Sequence, residues 1–185
     1  MVPIIIVSGL FLIFAYLALP WVIIGVGMHF GSNPPAPEIT YGEFPFQLEY
    51  EIEGERKVIE DIIICEFDGF EQRGEAGRYR KWKAYLKSGM ERITLLNTRD
   101  LNVADELGKQ ILEFYFYFGN AEYYMGDNLD NKQRSAQDFR MVDYLYQTTD
   151  GIIGGSALKA EEAYEKYRIR LINWDAPIPL QNTFK

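Results

Sequence analysis

The feature that most constrains this chain is its N-terminal apolar segment, Val2 to Phe30, in which no residue carries a formal charge. A helix needs about 20 apolar residues to cross the hydrocarbon core of a bilayer, and this segment is long enough to do so with some tilt. A cleaved signal peptide, the competing interpretation, normally has a basic start and small residues at its end. Only Met1 precedes the segment, and Gly25-Val26-Gly27 is a weak cleavage site. The sequence therefore predicts an uncleaved, single-pass transmembrane anchor over residues 1–30.

The residues that follow the anchor predict its orientation. Positively charged residues mark the cytoplasmic side of a transmembrane helix. The first one after the anchor is Arg56, and the glutamates from Glu38 to Glu55 all precede it. Because nothing basic holds the C-terminal part inside, we expect that part at the outer face of the cell membrane. Residues 31–40, which include Asn33-Pro34-Pro35-Ala36-Pro37, are predicted to form a short, stiff spacer.

Charge and composition restrict the class of the remaining domain, residues 41–185. The formal net charge of −8 comes entirely from residues after position 37, and 15% of the chain is aromatic. Aromatic residues at this level argue against disorder. An acidic domain is a poor ligand for phosphate backbones, so no nucleic-acid partner is expected. The sequence predicts a folded, acidic domain.

Cysteine and histidine are each represented once, by Cys65 and His29. One cysteine permits no disulfide within the chain, and no Asn-x-Ser/Thr sequon occurs, which together favour a bacterial envelope. His29 belongs to the predicted anchor, which excludes histidine-centred catalysis and histidine zinc sites for the domain. We expect no cofactor and no bound metal.

The first half of the domain alternates as strands do. Phe46 to Glu53 places apolar and polar residues in strict alternation, and Gly54-Glu55 separates it from Lys57 to Phe67, which predicts a β-hairpin. Ile62 to Cys65 is apolar on both faces and is typical of a central strand, with Cys65 in the core. A second hairpin is predicted around Ser88-Gly89, joining Arg78–Lys87 to Glu91–Asn97.

The second half mixes strands and short helices. The predicted elements are a helix capped by Asn102, a strand at Ile111–Phe118 (with an extension of that helix as the alternative), one or two helical turns at Asn120–Gly126, a strand at Phe139–Thr148, a helix at Ala157–Tyr167 capped by Ser156, and a strand at Arg168–Trp174. The fold class is therefore α+β: an N-terminal transmembrane helix followed by one mostly antiparallel β domain with a few short helices.

Several strings together resemble a known family. They are TyrGlyGluPheProPhe at 41, IleCysGluPheAspGly at 64, ArgLysTrpLys at 80, SerGlyMetGluArgIle at 88, AlaGluTyrTyrMetGlyAsp at 121 and the AsnThrPheLys ending. The chain resembles a family of small single-pass membrane proteins of Gram-positive bacteria that has no assigned function. The likeness covers most of residues 40–185, and residues 98–118 form a longer segment here. It implies a bacterial envelope and supplies no active-site residues.

One basic strip interrupts the acidic domain. The strand period places Tyr79, Lys81, Lys83, Tyr85 and Lys87 on one face of the predicted strand, with Trp82, Ala84 and Leu86 on the other. The functional hypothesis is a cationic, aromatic surface for an anionic wall polymer or lipid headgroups. The competing hypothesis is structural: the acidic row Glu49, Glu51 and Glu53 would face the strip across neighbouring strands. We favour the structural hypothesis.

Asp61 is the candidate buried carboxylate, because it shares the strand face of Ile59, Ile63 and Cys65 and would have a raised pKa there. A glycosidase needs two carboxyl groups at a set separation. Glu60 would point to the opposite face and pairs poorly with Asp61.

Three other patterns favour structural explanations. The aromatic run Phe114–Phe118 is interpreted as core and the glycines before Ser156 as a turn, while Asp127 and Asp130 lack the spacing of a calcium loop.

The function predicted from these patterns is a non-enzymatic, membrane-tethered binding domain outside the cytoplasm. Its expected partners are the membrane, through Val2 to Phe30, and an anionic wall polymer or another membrane protein. The alternatives are a carboxylate-dependent wall-glycan hydrolase and an accessory subunit of a membrane complex.

Overall fold

The computed structural model describes residues 14–23, 25, 32–72, 77–99, 101, 103–127 and 140–185. Residues 14–23 are helical (α1). Among the described residues, no helix is both long enough and apolar enough to cross a membrane. Residues 2–13, 24 and 26–30 of the predicted anchor lie outside the described part.

In the described part of the chain, eight strands and two further short helices follow α1. In chain order they are β1 (Tyr41–Ile52), β2 (Glu55–Gln72), β3 (Arg78–Leu86), β4 (Ile93–Asn97), β5 (Gln110–Phe116), α2 (Ala121–Tyr124), β6 (Met141–Gln147), β7 (Ile153–Lys159), α3 (Ala160–Tyr167) and β8 (Ile169–Asp175). The strands form two four-stranded sheets with the orders β3-β2-β1-β8 and β4-β5-β6-β7. The registered strand pairs are antiparallel, which confirms the α+β class with mostly antiparallel sheets and few short helices.

The chain divides into two compact units. The first comprises Met1–Ala36, Asp68–Lys81 and Lys185, and the second comprises Pro37–Phe67 and Trp82–Phe184. In the first unit, Ala36 and Lys185 exchange two backbone hydrogen bonds of 2.8 and 2.9 Å, and Arg80 Nη1 donates to the Pro35 carbonyl at 3.0 Å. Within its unit, the end of the predicted spacer is therefore held by hydrogen bonds.

The second unit has one hydrophobic core, to which both sheets contribute. The alternation in β1 buries Phe44, Phe46 and Leu48 on one face, as the pattern of Phe46–Glu53 predicts. Trp174 of β8 contacts Phe46 of β1 and Phe116 of β5, each at a ring-centroid distance of 5.0 Å. These contacts join the inner faces of the two sheets through aromatic side chains.

The burial of the aromatic run Phe114–Phe118 confirms that it belongs to the core. Phe114, Phe116 and Phe118 are buried, and only Tyr117 of this run is clearly exposed. The α2 helix follows, capped by the Asn120 side chain, which accepts from the Tyr123 N–H. Cys65 is fully buried in the same core.

The predicted second hairpin is wrong. β3 and β4 belong to different sheets, and β4 pairs with β5 instead. The Lys87 N–H still donates to the Ile62 carbonyl of β2, and Gly89, at φ +81°, closes a turn on Leu86. The chain leaves the first sheet at this turn, and the spacing of residues along the sequence does not reveal the change of sheet.

The prediction of a helix that starts at Asn102 is also wrong, since the described residues after Asn102 are not helical. Asn102 itself lies outside the described residues. Residues 103–109 form a turn in which Asp105 Oδ1 accepts from the N–H groups of Leu107 and Lys109, both at 2.9 Å. A short acidic side chain offers the backbone this alternative to helical hydrogen bonds.

The helix predicted at Ala157–Tyr167 begins three residues later than expected. Ile153–Lys159 is strand β7, paired with β6 over its whole length, so Ser156 lies within a strand rather than at a helix cap. Gly154 and Gly155 are likewise in the strand, whereas Gly151, at φ +86°, forms the predicted turn and donates its N–H to the Thr148 carbonyl. A β-carbon on Gly154 would lie 2.6 Å from the Tyr146 ring, so glycine leaves room for this ring over β7. The tertiary pairing overrides the local helix signal.

Candidate functional site

An open groove of about 660 Å³ lies along the first sheet, within the second unit. It is lined by Pro45, Phe46, Gln47, Glu60, Asp61, Ile62, Lys87 and Asp175. Most of these residues belong to β1 and β2, and the remainder come from the end of β3 and the end of β8. The groove is large enough for a small ligand and combines apolar with hydrogen-bonding groups.

The strand register explains why polar groups converge in the groove. Gln47 of β1 stands opposite Glu60 of β2 on one side and opposite Asp175 of β8 on the other. The Gln47 side chain donates to Glu60 at 2.6 Å. Two residue pairs further along, Pro45 stands opposite Ile62 and supplies an apolar surface. Successive strand residues face opposite sides, so these groups share the face turned away from the core.

Asp61 stands opposite Phe46 and therefore belongs to the inner face, as the sequence predicts. Its Oδ1 atom accepts from the N–H of Ile62 at 2.7 Å and from the N–H of Ser88 at 3.3 Å. Its Oδ2 atom is shielded from solvent and has no hydrogen-bond partner among the described residues. The Ser88 contact gives Asp61 a structural task, which is to hold the turn at the end of β3.

The five residues of the basic strip are divided between the two units: Tyr79 and Lys81 belong to the first, and Lys83, Tyr85 and Lys87 to the second. In the first unit, Lys81 Nζ lies 2.6 Å from Asp68 Oδ2. The hydrogen bond and the charge of Asp68 raise the pKa of Lys81.

In the second unit, the Tyr85 hydroxyl donates to Glu66 at 2.9 Å and Lys87 Nζ lies 3.3 Å from Glu43. The Tyr85 bond to Glu66 raises the pKa of Tyr85. A hydrogen bond from Tyr41, followed by the contact with Lys87, lowers the pKa of Glu43. Lys81 and Tyr85 are thus paired with acidic groups of the neighbouring strand β2, and Lys87 with Glu43 of β1.

The acids that pair with the strip are not the predicted ones. Glu49 and Glu51 lie in β1 and Glu53 comes just after it, whereas β2 lies between β1 and β3. Glu49 pairs with Arg56 of β2, and Glu51 stands opposite Arg56 and Arg170. The order of the strands, which the sequence does not reveal, places Glu66 and Asp68 of β2 beside the strip instead. Lys87, just after the end of β3, contacts Glu43 of β1.

The surroundings of Cys65 and Asp127 indicate structural roles for both residues. Burial, and to a smaller extent the charge of Glu122, raise the pKa of Cys65 to about 12, so its thiol is protonated at neutral pH. Asp127 is buried and accepts from Trp82 Nε1 at 2.8 Å, while Asp130 lies outside the described residues. No cluster of His, Cys, Asp and Glu suited to a metal ion occurs among the residues with described positions.

Sequence reasoning missed Gln47, Glu60 and Asp175 as neighbours in one groove. The alternation of β1 and β2 places Gln47 and Glu60 on their polar face, which was a usable signal. The position of β8 beside β1 could not be predicted from the sequence, because more than a hundred residues separate the two strands. A comparison with known proteins matched no family model, no curated protein and no solved structure.

Proposed function

We propose that this chain is a membrane-tethered, extracytoplasmic binding protein rather than an enzyme, and that its ligand occupies the groove on the first sheet. The observation that carries the proposal is the groove itself. It is open and large, and adjacent strands hold its polar groups in fixed register. Binding sites placed on strands of a sheet are held more rigidly than sites on loops.

The apolar N-terminal segment supports the tether. Along α1, the side chains of Phe14, Leu17 and Trp21 are 71%, 63% and 76% exposed. Large apolar side chains in such a row need a bilayer or a protein partner to cover them. The absence of charge from Val2 to Phe30 and the glutamates before Arg56 favour a membrane location with the domain outside. The family resemblance described above favours the same location.

The chemistry of the groove favours a hydroxyl-rich ligand such as a segment of wall glycan. Glu60 and Asp175 offer carboxylate acceptors, Gln47 offers an amide, and Pro45 with Ile62 forms an apolar surface for a sugar ring. Lys87 is the only cation of the lining, and Glu43 already contacts its ammonium group. The carboxylates disfavour an anionic polymer in this groove, because like charges repel.

Titration of the full-length chain in detergent micelles with soluble wall-glycan oligosaccharides tests this proposal. We expect Gln47→Ala and Asp175→Ala each to weaken binding at least about fivefold, since each removes a hydrogen-bonding group. Asn173→Ala is the matched control, because Asn173 is an exposed residue of the same strand outside the lining. If the wild-type chain shows no binding, or if the control variant weakens it equally, the groove is not a glycan site.

One observation favours the hydrolase alternative. It offers Glu60 and Asp175 as the carboxyl pair, in place of Glu60 and Asp61. Glu60 and Asp175 both stand opposite Gln47, so two inter-strand spacings, about 10 Å, separate their α-carbons. Inverting glycosidases use carboxyl groups about 6.5–9.5 Å apart, and side chains on α-carbons about 10 Å apart can bring their carboxyl groups to such a separation. One carboxyl group would protonate the leaving glycosidic oxygen, and the other would take a proton from the water that bonds to the sugar carbon.

Release of reducing ends from wall glycan separates the two functions. A hydrolase would release them, and Glu60→Gln would abolish release while the glycan remained bound. Our proposal predicts no release by the wild-type chain at any concentration that saturates binding. A fusion of a reporter active only outside the cytoplasm after Lys185 tests the location separately.

A further inference from the structure

The second sheet has a free strand edge that differs from the other edges. Among the described strands, β3, β8, β4 and β7 occupy the four sheet edges. Natural sheets protect their edges with charged residues, prolines, bulges or short strands. β3 carries Arg78, Arg80, Lys81 and Lys83; β8 carries Arg170 and Asp175; and β4 has five residues and a bulge. β7 has none of these features from Ile153 to Leu158.

The hydrogen-bond pattern shows which groups of β7 face outward. The N–H of Thr148 donates to the Ile152 carbonyl, and the N–H of Ala160 donates to the Arg140 carbonyl. In an antiparallel pair, hydrogen-bonded positions alternate with positions whose backbone groups point away from the partner. The register with β6 therefore directs the N–H and C=O groups of Ile153, Gly155 and Ala157 to the open edge. None of these three residues has a hydrogen-bond partner at that edge among the described residues.

We propose that β7 pairs with β7 of a second copy of this chain, antiparallel and centred on Gly155, so that two four-stranded sheets join across a two-fold axis. In this register Gly155 stands opposite Gly155 of the partner subunit, and Ile153 stands opposite the partner's Ala157. The three outward residues of each copy then exchange hydrogen bonds along the whole free edge. An isologous contact of this kind is self-complementary and closes at the dimer.

Side-chain size and charge both favour a second copy of this chain as the partner that pairs with β7. Ile152 and Ile153 are 63% and 61% exposed, and the pairing sets each Ile153 against the small side chain of Ala157. It also sets Lys159 opposite the partner's Gly151, next to the partner's Asp150. Lys159 and Asp150 are exposed and stand at opposite ends of the β7 segment within one chain. Only an antiparallel copy brings each next to its opposite charge, at both ends of the paired strands.

Cysteine cross-linking of the full-length chain in detergent micelles tests the register. Opposed residues at a hydrogen-bonded position have α-carbons about 5.5 Å apart, within the roughly 4.4–6.8 Å range of disulfides. Gly155→Cys is therefore expected to form a disulfide-linked dimer under mild oxidation. Ala157→Cys is the matched control on the same edge, since its α-carbons would be about 14 Å apart. The wild-type chain controls for Cys65, which is buried.

Two further variants distinguish a second copy from any other partner. Gly155→Pro removes the outward N–H, and proline is tolerated on an edge strand, so we expect a folded monomer by circular dichroism and light scattering. Lys159→Asp and Asp150→Lys should each weaken dimerisation about tenfold, and the double swap should restore it. Equal cross-linking at positions 155 and 157, a wild-type chain that is monomeric at all concentrations, or a double swap without rescue would each overturn the proposal.

Discussion

β3 and β7 are both edge strands, yet different features hold them in place. β3 directs Trp82 and Leu86 into the core and carries basic residues on its other face. β7 has two adjacent glycines, no charge before Lys159 and no fully buried side chain. β3 therefore depends on its side chains, whereas β7 depends on its backbone ladder and on the space that Gly154 leaves for Tyr146. Removing side-chain atoms from β3 should therefore lower the stability of the fold, and so should adding side-chain atoms to β7.

The largest expected effect is on β3, at Trp82. Its ring contacts Phe67 at a centroid distance of 5.3 Å, and its indole N–H donates to buried Asp127 at 2.8 Å. We expect Trp82→Ala to lower the free energy of unfolding by about 3–5 kcal/mol, because it leaves a cavity and removes a donor from Asp127. Urea denaturation followed by circular dichroism measures the loss.

Trp82→Phe separates the two contributions to this effect. It retains an aromatic ring beside Phe67 but loses the indole donor and part of the ring volume, so about 1–3 kcal/mol is expected. If the phenylalanine and alanine variants are equally unstable, ring packing does not hold β3, and the contrast with β7 is incorrect.

An intermediate effect is expected on β7, at Gly154. A β-carbon there would lie 2.6 Å from the Tyr146 ring. Lys109 Nζ lies over the same ring, 4.2 Å from its centroid. We expect Gly154→Ala to lower the free energy of unfolding by about 1–3 kcal/mol through overpacking. Because the clash involves Tyr146, the double variant Gly154→Ala/Tyr146→Val should recover part of the loss, measured as a coupling energy.

Gly155→Ala is the control on the same strand. The nearest atom to its added β-carbon would be Leu145 Cδ2 at 3.8 Å, which is ordinary contact. Replacing glycine where the backbone is unstrained stabilises by about 0.4–1 kcal/mol. Equal losses for the Gly154 and Gly155 variants would mean that strand entropy, rather than space for Tyr146, decides the sequence of β7.

These strands also show how far the sequence could be interpreted. The β1–β2 hairpin was predictable because apolar and polar residues alternate strictly and Gly54 marks the turn. β7 was not, because Ser156-Ala157-Leu158-Lys159 satisfies a helix-capping pattern, and only its pairing with β6 makes it a strand. Local patterns determine an element when its own residues alternate. They fail when pairing with another strand, rather than the element's own pattern of residues, decides its structure.

The candidate sites follow the same physical rule. The position of Asp61 on the inner face depends only on strand period, and the structure places it there. The groove depends on β8 lying beside β1, and the acids that pair with the strip depend on β2 lying between β1 and β3. Strand order is a long-range property, so neither the groove nor those pairs could be predicted from the spacing of residues.

The smallest expected effect concerns the charges on and beside β3. Changing Lys81, Lys83 and Lys87 to glutamine removes the contacts of Lys81 with Asp68 and of Lys87 with Glu43. These groups are exposed, and screened surface pairs contribute little to stability. We expect the triple variant to lose only a small part of its thermal stability, far less than Trp82→Ala loses. A comparable loss in both variants would mean that charge holds β3 as firmly as packing does.

The pH dependence of stability tests the same pairs, and its sign follows from the shifted pKa values. The pKa of Glu43 is lowered below 4.5 in the folded chain, so its contribution is present above that pH and is lost as the pH falls. The pKa of Lys81 is raised above 10.5, so its contribution is present below that pH and is lost as the pH rises. Melting temperatures of the wild type should therefore fall at both ends of this range, and the triple variant should show smaller slopes.

Retention on an immobilised polyanion determines whether the same lysines also bind a ligand. Because Lys81 and Lys87 already contact carboxylates, an anionic polymer must compete with Asp68 and Glu43 for them. We therefore expect the full-length chain in neutral detergent to elute from heparin at low salt, with little difference between the wild type and the triple glutamine variant. Strong retention of the wild type that salt weakens and the triple variant abolishes would instead establish the strip as an anion-binding surface. In that case β3 would be an edge kept charged for a ligand, and the contrast with β7 would be one of function as well as of packing.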